Sequence, residues 1–227
     1  MFDESLTQSD RRGFLTRTAA GAAMAALATL PTWVEAQAPM QVPEVDANTR
    51  WLRGVDSKYR QFFETAKMDN AIPFLHVVNY FGAWRATPRV RENDVKAVVG
   101  VFGMAVPVVF GDAVWARYEL GKALSLTDAS TGLPYVRNPY ITPRNGELFA
   151  SEASTPAALQ RLGARFILCN NALGFWVGRI AAATNQEVSA VRAEWLANIS
   201  PGVTVVPAMV QAIEQAQRAR LTYMKNS

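Results

Sequence analysis

Gly163-Ala164-Arg165-Phe166-Ile167-Leu168-Cys169-Asn170-Asn171-Ala172-Leu173 is the stretch whose reading decides the fold. Arg165–Leu168 is a short apolar run rich in strand formers, opened by a glycine and closed by the one cysteine of the chain. From Ala172 to about Ala183 the apolar residues recur at helical spacing. A strand that runs directly into a helix is half of a βαβ unit. In an open α/β sheet, the loops at the carboxyl ends of strands are where ligands and chemistry collect, and Cys169 falls at such a place.

Working outward, the same alternation repeats. Ser154-Thr155-Pro156 is a cap followed by proline at an early helical position, predicting a helix to about Leu162 that Gly163 closes. Val95–Phe102 is a near-continuous apolar run between Asn93-Asp94 and Gly103, the pattern of a strand covered on both faces. Lys58–Thr65 is a candidate first strand, and Asp69-Asn70 starts a helix from about Ile72 to Trp84. Asp112 is a plausible N-cap for a helix through about Leu120. Beyond Cys169, a second helix runs from about Gln186 to Asn198. Pro201-Gly202 turns into the strand Val203–Val206, Pro207 begins a last helix through about Arg220, and Leu221–Met224 adds a terminal strand. Strands alternating with helices predict an α/β fold with a mostly parallel sheet of about five strands flanked by helices. One segment breaks the pattern: Ser125–Thr155, punctuated by Asp, Gly, Pro and Asn, is a long loop excursion, read equally as a lid or subunit contact and as a plain insertion.

The amino-terminal residues 1–38 read as an export signal. Arg11-Arg12-Gly13-Phe14-Leu15 is a twin-arginine core, although Asp10 and Thr16 depart from the usual flanks, and a small, weakly apolar run follows from Ala19 to Leu30. About twelve such residues fall short of the roughly twenty needed to span a bilayer. Ala36-Gln37-Ala38 supplies a small-x-small cleavage site, so the mature chain is expected to begin near Pro39, periplasmic, exported by the twin-arginine route and without a membrane span. Residues 39–57 then form an extended arm with a helical turn near Trp51 and Leu52, and residues 58–227 form the α/β domain.

Removing residues 1–38 moves the formal charge from +4 to +5. The cations are scattered along helical stretches and never interleave with aromatics in a dense block, which argues against nucleic acid as a partner. One cysteine excludes an internal disulfide. His76 is the sole histidine, so a tetrahedral metal site within one chain would need donors beyond one His and one Cys, from carboxylates or a neighbouring subunit, and none is expected. Neither a Gly-x-Ser-x-Gly elbow nor a Gly-x-Gly-x-x-Gly loop is present, which removes the common hydrolase and dinucleotide readings. No cofactor is expected.

The run Gly163–Leu173, together with the ending Gly202-Val203-Thr204-Val205-Val206-Pro207-Ala208-Met209-Val210 and Leu221-Thr222-Tyr223, resembles the DsrE/DsrF-like family. The resemblance extends from about Lys58 to Lys225. It implies a small α/β fold that assembles as dimers, trimers or hexamers, with the cysteine near a subunit-facing pocket. In some relatives this cysteine carries a persulfide in sulfur relay, which makes Cys169 the candidate carrier of sulfane sulfur. The family's pattern commonly has a polar residue, often His, before the glycine that follows the second strand. Here Phe102 precedes Gly103, and the loop Gly103-Met104-Ala105-Val106-Pro107 is apolar.

The candidate site residues each have a structural alternative. Cys169 is a reactive thiol at a helix start, where the positive helix end favours a thiolate, a buried packing residue, or a metal or haem ligand or disulfide partner between chains. Asn170 and Asn171 bond a ligand or cap a helix. Met104 lines an apolar pocket or packs, and His76 is a ligand-binding group or a satisfied structural histidine. Two functional expectations follow: a sulfur-relaying protein, or a noncatalytic small-ligand-binding or scaffold subunit that works with a periplasmic protein partner.

Overall fold

The computed structural model describes residues 49–144, 148 and 150–226. The expected signal segment, 1–38, and most of the expected arm lie outside the described residues. Five strands form one sheet: β1 (Tyr59–Thr65), β2 (Val95–Val101), β3 (Ala164–Cys169), β4 (Thr204–Val206) and β5 (Thr222–Lys225). Their order is β4-β3-β2-β1-β5, and every neighbouring pair is parallel. This is the α/β architecture that the alternation of patterns predicts.

Among the described residues, seven α-helices connect and cover the sheet: α1 (Ile72–Arg85), α2 (Asp112–Arg117), α3 (Leu120–Ala123), α4 (Pro156–Leu162), α5 (Asn170–Thr184), α6 (Val188–Ala197) and α7 (Met209–Arg218). Side chains alternate across a strand, so each strand contributes to two cores. Phe63, Val99, Phe166 and Leu168 point into the larger one, against Phe74 and Val77 of α1, Leu159 of α4, Trp176 of α5 and Trp195 of α6. Phe62, Val98, Ile167 and Cys169 point into the smaller one, covered by Met209, Ala212 and Ala216 of α7 and by Trp51 and Val55. The chain therefore steps from β1 to β4 with its helices on the broad face. It then returns through α7 on the narrow face to place β5 beside β1.

The local signals explain where most elements begin and end. The Thr155 hydroxyl accepts the Ala158 N–H at 3.2 Å, Pro156 occupies the first turn of α4, and Gly163 leaves the helix at φ 110°, a conformation that favours glycine. Residues Arg50–Leu52 form the expected turn, with Trp51 buried. Two expectations fail here. Asp112 is not an N-cap: Gly111 precedes α2, and the Asp112 carboxylate accepts the Asn138 N–H at 2.8 Å instead. The helix expected through Leu120 breaks after Arg117 because Glu119 takes a left-handed φ of 48°, so α3 is a separate turn.

The excursion after α3 is anchored at several buried residues, with an exposed tip between them. Thr127 and Pro134 bridge in antiparallel fashion, and the Asp128 carboxylate closes the turn between them by accepting the N–H and the hydroxyl of Ser130 at 2.9 and 2.5 Å. Those two bonds hold the Asp128 carboxyl below the usual carboxylate range. Tyr135 and Tyr140 enter the larger core, and Asn138 is completely buried.

Burial also controls the tyrosines. Desolvation pushes the Tyr80 phenol up to about 12, and desolvation reinforced by a 2.7 Å hydrogen bond to Glu194 does the same for Tyr118. Tyr140 moves in the same direction through burial. An unfolded tyrosine ionises near pH 10. Below that pH both states are protonated and the fold keeps its full stability. Between about 10 and 12 the unfolded chain loses protons that the fold retains, so stability falls as pH rises. Thermal melts from pH 8 to 11.5 are expected to show a Tm that drops above pH 10, with the tyrosinate absorbance of these three residues appearing only on unfolding.

Candidate functional site

Cys169 ends β3 and stands opposite Val206, the last residue of β4. Immediately afterwards the two strands part. β3 continues into α5 on the broad face, where Leu173 and Trp176 are buried, whereas β4 leads into α7 on the narrow face. Adjacent strands whose continuations leave to opposite faces open a crevice at their carboxyl ends, the position where open α/β sheets bind ligands.

Two helix starts meet at the thiol. Cys169 is the residue immediately before α5, and the Sγ accepts the backbone N–H of Met209, the first residue of α7, at 3.3 Å. The first N–H groups of a helix have no partner within the helix and carry its positive end, so α7 directs partial positive charge toward this sulfur, whereas the Cys169 side chain accepts no N–H of α5. The side chain is 5% exposed, packed in the cluster that holds Phe62, Ile167, Val206 and Met209, with Phe102 against its margin. Gly100, beneath it on β2, keeps room for that packing: a Cβ there would lie 2.6 Å from the Phe62 ring and 2.7 Å from the Met209 sulfur.

The other sequence-derived candidates divide. Asn170 begins α5 but makes no side-chain cap; its Oδ1 accepts from the Arg192 guanidinium of α6, which ties the two helices together. Asn171 is exposed in the first turn of α5. Met104 is 42% exposed just beyond β2, on the same edge of the sheet as Cys169. Its loop is fixed by Gly103, which adopts φ 55° and whose carbonyl accepts the Trp176 indole N–H at 2.8 Å.

His76 stands apart, on the helix that follows β1. Its Nδ1 lies 2.6 Å from the Asn226 Oδ1, while the Asn226 amide nitrogen donates to the Pro73 carbonyl at 2.8 Å and the Asn226 N–H to the Glu64 carbonyl at 2.9 Å. Because the amide nitrogen is committed to Pro73, the amide oxygen faces the imidazole, and Nδ1 must carry the proton. The histidine clamps the end of β5 onto α1. Sequence reasoning missed Met209 and Arg192 as neighbours of this edge, because a backbone N–H and an inter-helix pair leave no local motif.

The chemistry available here is that of one soft nucleophile held between helix starts. Among the described residues, no group of three or more His, Cys, Asp or Glu is arranged to hold a metal ion, and no helix is long and apolar enough to cross a membrane. Fold and site together define a parallel-sheet α/β protein with a cysteine at the carboxyl ends of β3 and β4. No protein-family model matches the chain, and no curated protein does. Among solved structures it is similar to a protein of unknown function from Methanobacterium thermoautotrophicum. That likeness has 16% identity and a TM-score of 0.39, and it covers 74% of this chain and 98% of the other.

Proposed function

We propose that this chain is an exported, DsrE-like periplasmic protein that binds or relays a sulfur species through Cys169. The observation that carries the reading is the Sγ at the β3–β4 crevice, accepting the Met209 N–H at the start of one helix while another helix begins at its own backbone. The step is a transfer between sulfurs. The Cys169 thiolate attacks the outer sulfur of an organic persulfide or inorganic polysulfide, the donor's S–S bond breaks, and the donor leaves as a thiolate or shortened polysulfide. Cys169 then carries the transferred sulfur as a persulfide, which a thiol acceptor removes by the reverse chemistry. The Met209 N–H, which donates to this sulfur, offers it a hydrogen bond before and after the transfer.

The burial of Cys169 favours a second reading, a noncatalytic scaffold or small-ligand-binding subunit in which the thiol only packs. Mass spectrometry after polysulfide exposure of the folded protein separates the two. Relay requires a sulfur adduct on Cys169 that an added thiol removes and that Cys169→Ser does not form. A thiol that gains no sulfur and resists alkylation until the protein unfolds assigns the chain to the scaffold class.

Assembly with further copies belongs to the same proposal. Ile72, Met104, Phe175 and Val210 are exposed large apolar residues, and they occur in the segments that follow β1, β2, β3 and β4 respectively, all toward one edge of the sheet. Burying them against a second copy would cover the crevice mouth. Light scattering at micromolar concentration is expected to give a dimer or larger species, and Phe175→Lys with Val210→Asp to dissociate it; a wild-type monomer rejects assembly.

A further inference from the structure

We propose that the opposite, amino-terminal edge of the sheet holds a binding site for a small oxyanion, a phosphoryl or carboxylate group, centred on Arg165. A recess of about 480 Å³ is lined there by Gln160, Ala164, Arg165, Pro201, Gly202 and Thr204, a size within the ordinary range of small-molecule sites. The register explains its shape. Ile167 pairs with Thr204 in parallel, so Thr204 sits on the strand next to Arg165, two residues further along and on the same face. Gly202 lies at the recess as the turn residue at φ 77°. A Cβ there would meet the Gln160 amide nitrogen at 2.8 Å, so the position adds no side chain to the recess, while the Arg165 guanidinium lies 3.7 Å from the place a Cβ would take at Gly54.

The charges at this recess are unanswered. Arg60, Arg85, Arg91, Arg117 and Arg218 each pair with a carboxylate. Arg165 is half-buried, yet among the described residues its guanidinium has neither an ion pair nor a hydrogen bond. Lys96 on the neighbouring strand is half-buried, and its ammonium likewise has no partner among the described residues. That ammonium passes beside Gly163, 3.4 Å from the position a Cβ would take, next to the Ala164 that lines the recess. A cation drawn partly out of water without a counter-charge is unfavourable, and an anion in the recess relieves it. The guanidinium fork matches two oxygens of a carboxylate or phosphoryl group. The Thr204 hydroxyl supplies a further donor. So does the amide hydrogen that Gln160 keeps beyond the one it gives to the Pro201 carbonyl at 2.9 Å.

Isothermal titration calorimetry of the full chain at fixed ionic strength tests the site with inorganic phosphate in one arm and succinate in the other. Saturable binding is expected, weakened about tenfold or more in Arg165→Gln. Arg165→Lys, which keeps the charge and loses the fork, and Thr204→Val, which loses only the hydroxyl, are expected to weaken it to a lesser degree. Cys169→Ala is expected to bind like the wild type, so the result is separate from that of the sulfur-transfer experiment. Binding of phosphate alone assigns a phosphoryl ligand, and binding of succinate alone a carboxylate. Absence of saturable binding in both arms overturns the proposal, as does wild-type affinity in Arg165→Lys and Thr204→Val, the pair that decides if Arg165→Gln does not fold.

Discussion

Asn138→Ala is expected to destabilise the fold by about 3 kcal/mol, a large share of the roughly 5–15 kcal/mol that holds a domain of this size. The side chain is wholly buried, and its amide nitrogen donates to the Val108 and Phe110 carbonyls at 2.9 and 2.8 Å while its oxygen accepts the Tyr140 N–H at 2.9 Å. One residue thus pins the excursion to the loop that enters α2. Truncation leaves two carbonyls and an N–H without this partner in a dry site, and each costs about 1–3 kcal/mol before the loop relaxes. Asn138→Asp sharpens the test, because it keeps the shape and turns a donor into an oxygen facing carbonyl oxygens. The buried carboxyl is neutral only if it holds its proton, so its folded-state pKa rises above the unfolded value. The variant therefore loses stability as pH rises through that interval and regains it toward acid. Urea midpoints at pH 4.5 and 7.5 read both effects. If Asn138→Ala unfolds at the wild-type midpoint, the excursion is held by something other than this amide.

The strands were legible because their physics is local. Val95–Val101 is apolar on both faces and sits between two layers of helices, and Thr155-Pro156 and Gly163 mark both ends of α4. The excursion was not legible for the opposite reason. Asn138 looks like any other loop asparagine, and its side-chain partners come from residues 107, 108, 110 and 140, three of them about thirty positions away. Glu119 hides the break between α2 and α3 in the same manner, since a left-handed φ at a glutamate has no sequence signal.

The site divides along the same line. That Cys169 ends a strand and opens a helix is written in Arg165–Leu173. That its sulfur lies under the first residue of α7 depends on where the chain returns after β4, forty residues later. Capping expectations for Asn170 yielded to a tertiary competitor, the Arg192 guanidinium, which reaches it from α6. Arg165 shows the converse. As one of many scattered cations it carried no message in the sequence, and only the missing partner and the bare turn at Gly202 set it apart.

Gly100→Ala is expected to act on stability and on the reactivity of Cys169 together. A methyl group at this position would stand 2.6 and 2.9 Å from Phe62 ring carbons and 2.7 Å from the Met209 sulfur, closer than packed atoms tolerate. The strand is buried in the middle of the sheet and cannot yield, so the side chains must, at about 1–3 kcal/mol. Of the two, Phe62 is on β1, paired to β2 along its whole length, and Met209 is at the first turn of a helix. The Met209 sulfur, the far end of a flexible side chain, is the softer side. Displacing that side chain, which packs with Cys169 in the smaller core, loosens the cover over the thiol. Alkylation by iodoacetamide under native conditions should then be several-fold faster in Gly100→Ala than in the wild type. Gly174→Ala is the control: it lies in α5 with nothing within 4 Å of the added carbon, and it is expected to gain about 0.5–1 kcal/mol through helix propensity. A Gly100→Ala protein less stable than the wild type but alkylated no faster would show that α7 does not cover the thiol. A fast reaction in both proteins would show that Cys169 is reached by another route.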